Sequence, residues 1–131
     1  MIKIVIDTNI LVSALLTPTG NAAQIIDRVF SEELLPIYYS SILLEYATVL
    51  ARPRFAFSSD DQNHLINGIV KYGESIIPEI SNIIFVDESD RIFFDTAKSS
   101  DAYLVTGNQR HFPDELFVVT PADCIMLLDM L

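Results

Sequence analysis

Four acidic or amide residues stand where predicted strands end or predicted helices begin: Asp7, Glu45, Asp90 and Asn108. Asp7 directly follows the apolar run Ile2-Lys3-Ile4-Val5-Ile6, and Asn108 follows Tyr103-Leu104-Val105-Thr106 after one glycine. Because open α/β sheets bind ligands outside the carboxyl ends of their strands, we expect these side chains to meet at one sheet edge. Carboxylate and amide oxygens are the ligands that hard cations prefer. The pattern therefore predicts a divalent metal site.

Asp7 and Glu45 each have a structural alternative to metal binding. Asp7 can cap the helix-like stretch 9–15, where Thr8 and Asn9 would hold the turn by hydrogen bonds. A carboxylate against a buried strand is nevertheless costly to desolvate unless something compensates it. Glu45 can be a first-turn acid favoured by the helix dipole, but at helical spacing it borders the apolar face. We interpret both carboxylates as metal ligands.

The acidic run Asp87-Glu88-Ser89-Asp90 is expected to contribute one ligand. Asp90 begins a predicted helix, 90–98, which would hold its carboxylate rigidly toward the sheet edge. Asp87 and Glu88 are interpreted as solvated loop acids. On an ideal helix, Asp95 lies about 140° round the axis from Asp90, so its side chain either orients the site from behind or faces solvent.

Other polar residues near these acids are candidates for supporting roles. Asn108 can supply one neutral oxygen or hold a bound water, although Gly-Asn is also common at turns. His111 can contact phosphate, but a lone loop histidine is weak support for such a role. The basic residues beside the predicted site, Arg91 and Arg110, are further candidates for substrate contacts.

Predicted strands and helices alternate along the chain, which is typical of a parallel sheet covered on both faces. Strands are expected at 2–6, 36–39, 83–86, 103–106 and 116–119. Helices are expected at 22–30, from Ser40 or Ser41 to Leu50, at 59–72, at 90–98 and after Thr120-Pro121. Ser59 and Gln62 have the spacing of a capping box. The sequence thus predicts a three-layer α/β/α domain with a parallel five-stranded sheet.

Composition and charge restrict the classes of function. A chain of 131 residues, half of them hydrophobic, is expected to form a single domain over residues 1–131. One cysteine and no secretory or membrane-spanning stretch indicate a cytoplasmic protein. Eighteen acids against eight bases give a net charge of −10, which argues against tight, non-specific binding of long duplexes. Arg52 and Arg54 still form a local basic pair.

Together these residues resemble the PIN domain, in particular the bacterial PIN proteins of the VapC-like toxin type. The resemblance covers nearly the whole chain. Its pieces, in order, are Val5-Ile6-Asp7-Thr8-Asn9-Ile10, Ser41-Ile42-Leu43-Leu44-Glu45-Tyr46, Asp87-Glu88-Ser89-Asp90-Arg91 with Phe93 and Asp95, Ala102-Tyr103-Leu104-Val105-Thr106-Gly107-Asn108, and His111-Phe112-Pro113 with Thr120-Pro121.

The resemblance implies a site for one or two Mg²⁺ or Mn²⁺ ions, formed by Asp7, Glu45 and Asp90. Its supporting polar positions are Thr8, Asn9 and Thr106. Asn108 falls where many relatives carry a fourth Asp. The implied activity is metal-dependent endoribonuclease cleavage of RNA, leaving 5′-phosphate and 3′-hydroxyl ends, by the toxin of a toxin–antitoxin pair. The implied partners are RNA, a cognate antitoxin and further copies of the chain in a homodimer or higher oligomer.

The alternative is a binding module that keeps the PIN fold with little or no catalysis, which the net charge of −10 and Asn108 favour. A haloacid-dehalogenase-type phosphatase also has Asp after its first strand, but it expects a second Asp where this chain has Asn9. A phosphoacceptor receiver would need a Lys after the strand that ends near Thr106. Both of these classes are therefore disfavoured.

Overall fold

The computed structural model describes all 131 residues and confirms an α/β fold with a five-stranded parallel sheet and six α-helices. The strands are β1 (Ile2–Ile6), β2 (Leu34–Tyr38), β3 (Glu74–Ser75), β4 (Tyr103–Val105) and β5 (Val118–Val119). The helices are α1 (Thr8–Leu16), α2 (Asn21–Phe30), α3 (Ser40–Leu50), α4 (Ser59–Tyr72), α5 (Arg91–Ser100) and α6 (Pro121–Asp129). Short 3₁₀ turns lie at Pro53–Phe55, Glu88–Asp90 and Gln109–His111.

The strand order is β3-β2-β1-β4-β5, which places β1 in the middle of the sheet. The chain winds outward from β1 through β2 to β3, and then returns to β4 and β5 on the other side of β1. Because parallel crossovers are right-handed, the two directions of winding place helices on opposite faces. The winding reverses between β1 and β4, and sheets of this kind bind ligands in the crevice at such a point.

The hydrophobic core lies around the central strands. Ile4, Val5 and Ile6 of β1 have no exposed surface, and neither do Leu104 and Val105 of β4. Helix α5 packs against β1, β2 and β4. Tight packing behind these strands fixes the positions of the residues that follow them, which are the residues predicted to bind metal.

Segment 83–86 is not a strand, so that prediction is wrong. Ile83 and Phe85 pack against the core while Ile84 and Val86 are 95% and 107% exposed, which explains the strand-like alternation. The segment has no ladder partner, because the carbonyl oxygen of Ile83 accepts instead from the Arg91 guanidinium. Its place in the sheet is taken by β3, which pairs with the end of β2.

Smaller differences concern the ends of elements. Strand β5 starts at Val118, since Leu116 is 97% exposed. The predicted capping box of Ser59 and Gln62 is wrong: Ser58 caps α4 by accepting the N–H of Asp61, and the Gln62 side chain donates to the carbonyl oxygen of Phe57. Thr120 caps α6 as its sequence indicates. No helix is both long and apolar enough to cross a bilayer.

Candidate metal centre

Asp7 lies at the junction of β1 and α1, and its carboxylate makes no capping hydrogen bond to the helix. Its backbone N–H extends the sheet ladder by donating to the carbonyl oxygen of Val105 at 3.0 Å. The Asp7 side chain is buried, and Oδ2 accepts from the Thr106 hydroxyl at 2.7 Å and from the Asn9 amide at 3.3 Å. The carboxylate is therefore held in place without acting as a helix cap.

Glu45 projects from α3 toward the same place. Its Oε2 accepts a hydrogen bond from the hydroxyl of Thr8, which is itself buried at the start of α1. The next residue, Tyr46, is fully buried and donates its O–H to the carbonyl oxygen of Ile6, which fixes α3 to the end of β1. Burial, together with the Asp7 and Glu45 carboxylates, raises the pKa of Tyr46 well above its ordinary value. The hydroxyl consequently remains a protonated donor.

Asp90 closes the 3₁₀ turn that leads into α5. Asp87 caps this turn by accepting from the backbone N–H of Ser89 at 3.0 Å and from its hydroxyl at 2.7 Å. The Asp90 side chain is 16% exposed. Burial, followed by repulsion from Asp7 and smaller contributions from Asp87 and Glu45, raises the pKa of Asp90 to about 6. The fold has thus brought carboxylates from three distant segments within electrostatic reach of one another.

The negative charge of this cluster is poorly compensated by the protein. Burial raises the pKa of Asp7 above its ordinary value; the hydrogen bonds from Thr106 and Thr8 oppose this increase, and the Glu45 carboxylate adds a smaller one. The nearest base is His111, whose Nδ1 lies 4.0 Å from Asp90 Oδ2. No lysine or arginine forms an ion pair with any of the three acids. Carboxylates held this close together, with one exposed histidine as their nearest base, need another source of positive charge.

The donor set indicates which cation fits. No group of three or more Asp, Glu, His or Cys side chains is arranged to hold a metal ion directly. Such an arrangement would be expected for Zn²⁺, which takes nitrogen and sulfur ligands in a closed tetrahedron. Mg²⁺ keeps several of its waters and needs only one or two carboxylates. Oxygen ligands reaching a hydrated ion through water therefore fit the residues present.

Of the three polar residues implied to support the site, Thr106 and Asn9 hydrogen-bond to Asp7, and Thr8 hydrogen-bonds to Glu45. Thr106 is buried, and its hydroxyl both donates to Asp7 and accepts the backbone N–H of Asn108 at 3.0 Å. Asn9 accepts the N–H of Gly107 at 3.2 Å. Asn108 thus enters the network through its backbone, while its exposed side chain hydrogen-bonds to no protein group. The residues at the ends of β1 and β4 form one connected polar layer.

Asp95 and Arg91 bind a different part of the chain. Asp95 is 1% exposed and so does not face solvent; its Oδ2 accepts the N–H of Ser81 at 2.9 Å. Arg91 donates to the Ser81 carbonyl oxygen at 2.6 Å, to Ile83 and to Glu88. The Arg91 guanidinium is therefore engaged by the protein. Together the two side chains fasten the segment before Asp90 onto α5.

Arg110 and His111 are the exposed bases beside the acids. They line a polar cavity of about 280 Å³ formed by residues 107–111. The largest cavity, about 490 Å³ between α1, α2 and α4, includes none of the three acids. Tyr46 had no role in the sequence-based prediction, although a tyrosine next to Glu45 within an otherwise apolar helix face is a usable signal for a buried hydroxyl.

Metal-free protein is expected to lose stability relative to an Asp90→Asn variant as the pH rises. The folded-state pKa of Asp90 is raised from 3.8 to about 6. The protonated Asp90 side chain therefore stabilises the fold fully below pH 3.8, and this contribution is lost as the pH rises to about 6. Urea unfolding of both proteins in EDTA, at about pH 4.5 and about pH 7, measures the difference. A difference that does not change with pH would contradict this account of Asp90.

Comparison with known proteins identifies the family. The PIN domain family matches residues 3–110. The uncharacterized protein MJ1680 of Methanocaldococcus jannaschii is 31% identical over 111 residues, which are 82% of this chain and 72% of that protein. The crystal structure of PAE2754 from Pyrobaculum aerophilum is similar to this chain with a TM-score of 0.65, and the match covers 99% of this chain and 91% of PAE2754. The two sequences are 13% identical, so this similarity shows the fold alone. PIN domains are generally nucleases that use divalent metals. Since the family match spans most of its length, the chain belongs to the PIN domain family.

Proposed function

We propose that this protein is a metal-dependent endoribonuclease that hydrolyses RNA phosphodiester bonds. The observation that carries the proposal is the meeting of Asp7, Glu45 and Asp90 where the sheet winding reverses, without a lysine or arginine partner. These three residues would hold Mg²⁺ or Mn²⁺, in part through water. The bound metal would supply an activated water and neutralise charge that develops on the phosphate.

The remaining residues of the site position these ligands and leave room for substrate. Thr106 and Asn9 orient Asp7, and Thr8 orients Glu45. Partners of this kind commonly influence metal affinity or activity by 10- to 100-fold, roughly. The exposed bases, Arg110 and His111, are available to contact the phosphates of the substrate. The side chain of Asn108, which is free of protein partners, can add a neutral oxygen to the site.

We also propose, from the resemblance to VapC-like proteins, that the chain is the toxin of a toxin–antitoxin pair. This proposal includes a cognate antitoxin as a partner, self-association into a homodimer or higher oligomer, and a cytoplasmic location. A second candidate function is a PIN-fold binding module with little catalysis. It is favoured by Asn108 and by the lack of a group of three metal-binding side chains.

Cleavage of single-stranded RNAs in Mg²⁺, in Mn²⁺ and in EDTA is expected to separate these candidates. An enzyme should cut in either metal, stop in EDTA and recover when metal is restored, because the three carboxylates alone cannot activate water. Product ends should carry 5′-phosphates. Metal-independent cutting would refute the proposed chemistry. RNA or protein binding without any cutting would make the binding module the better description.

A further inference from the structure

A stack of one guanidinium and two aromatic rings lies in the connection between α3 and α4. The rings of Phe55 and Phe57 have centroids 5.2 Å apart and are inclined by only 11°. The guanidinium carbon of Arg54 lies 4.8 Å from the centroid of the Phe55 ring. We refer to Arg54, Phe55 and Phe57 as the 54–57 stack. Parallel planes of this kind are the surfaces on which nucleobases stack.

The stack extends from the core toward solvent. Phe57 is half-buried and packs against the hydrophobic core. Phe55 is half-buried without being among the residues packed against that core, and Arg54 is exposed. Packing on the core therefore positions Phe57, whereas Phe55 and Arg54 are positioned by their contacts within the stack.

The backbone of the connection holds this arrangement in an uncommon conformation. Ala56, between the two phenylalanines, has φ 52° and ψ 32°, in the left-handed region. This region is unfavourable for a residue with a Cβ and is found mostly at glycine and asparagine. In this conformation Ala56 ends the 3₁₀ turn Pro53–Phe55 and leads directly to Phe57.

The charges at this turn select the ligand. The chain has only eight lysines and arginines, and two of them, Arg28 and Arg91, are engaged in ion pairs. Arg52 and Arg54 are both exposed and without an acidic partner. An aromatic stack that ends in the Arg54 guanidinium, with Arg52 close to it in the chain, suits a ligand that combines flat bases with phosphates. We propose that Arg52, Arg54 and Phe55 bind one base and the adjoining phosphates of a single-stranded RNA.

This inference rests on the proposed ribonuclease function for the identity of the substrate, and it adds a second point of contact. Helix α3 carries Glu45 and ends at Leu50, and the 54–57 stack follows in the connection to α4.

Binding is best measured in an Asp7→Asn background, since the RNA then survives whether or not the wild type is a nuclease. The probes are a fluorescent oligoadenylate of about twelve nucleotides and an abasic ribose-phosphate strand of equal length, followed by anisotropy. Phe55→Leu should weaken oligoadenylate binding roughly tenfold and leave binding of the abasic strand nearly unchanged. Arg54→Lys, which keeps the charge but loses the plane, should weaken it several-fold.

Tyr72→Leu is the matched control, because Tyr72 is another half-buried aromatic residue with a cation over its ring. This variant should bind both strands as its parent does. Equal binding of oligoadenylate by the parent, Phe55→Leu and Arg54→Lys would overturn the proposal. A loss of self-association in these variants, with RNA affinity retained, would also overturn the proposal and would identify the 54–57 stack as a contact between copies of the protein. RNA binding that depends on Phe55, in a protein that never cuts RNA, would refute only the nuclease function.

Discussion

An Asp7→Asn variant is expected to lose RNA cleavage by at least roughly 100-fold while remaining at least as stable as the wild type in EDTA. The amide removes the charge that a metal requires, but its oxygen can still accept from the Thr106 hydroxyl. Burial raises the folded-state pKa of Asp7, so its ionised form destabilises the metal-free fold once the pH exceeds the unfolded-state value. A neutral side chain avoids this effect.

Initial cleavage rates in Mg²⁺ and urea unfolding in EDTA, on the same preparations, measure both parts of this prediction. Asp101→Asn is the matched control: Asp101 is exposed and has φ 55°, a conformation that asparagine tolerates well. That variant should keep its activity. Retention of cleavage by Asp7→Asn would remove Asp7 from the metal site. A loss of activity together with a loss of several kcal/mol of unfolding free energy, which is on the order of the whole stability of a domain, would indicate a structural role instead.

A Phe94→Ala variant is expected to lose about 3–5 kcal/mol of unfolding free energy. Phe94 has no exposed surface, and its ring contacts those of Phe117 and Phe85 at centroid distances of 5.1 and 5.7 Å. Removing it leaves a cavity between α5, Phe117 and segment 83–86, and neighbouring backbone cannot close such a space fully. The loss is a large part of the roughly 5–15 kcal/mol by which a domain is usually stable.

Urea unfolding midpoints provide the measurement for Phe94→Ala, with a check that the dependence of the unfolding free energy on urea concentration is unchanged. Val86→Ala is a suitable control because Val86 lies in segment 83–86 but its side chain is fully exposed, and its change should stay within about 0.5 kcal/mol. A loss of less than about 1 kcal/mol in Phe94→Ala would mean that the core near α5 repacks around the gap.

The fold class, and the nearness of the three acids to one another, were predictable because their signals are local. Asp7 directly follows a run of buried residues, and Asp90 ends the turn directly before a helix. Alternation of strands and helices is sufficient to predict a parallel sheet, and parallel strands bring their carboxyl ends to the same edge. Which strands lie next to each other was not evident from the chain, so the meeting of Asp7 with Thr106 was expected only by resemblance.

Features that depend on a distant partner were not predictable in this way. Segment 83–86 has the alternation of a strand, but the carbonyl oxygen of Ile83 accepts from Arg91 and no ladder forms. Glu74–Ser75 carries no strand signal of its own and is a strand because the end of β2 is available to pair with it. The roles of Arg91 and Asp95 depend on Ser81, a residue without any distinguishing sequence context.

The reversal of winding at β1 also determines when the centre can form during synthesis. Asp7 and Glu45 are made early, but the hydroxyl that holds Asp7 belongs to Thr106, 99 positions later in the chain. Contacts of such long sequence separation form late because a large loop must close first. A nascent chain on the ribosome therefore carries an incomplete centre until β4 has been made. For the ribonuclease proposed above, this delay would keep an unfinished chain from cleaving the messenger RNA from which it is being translated.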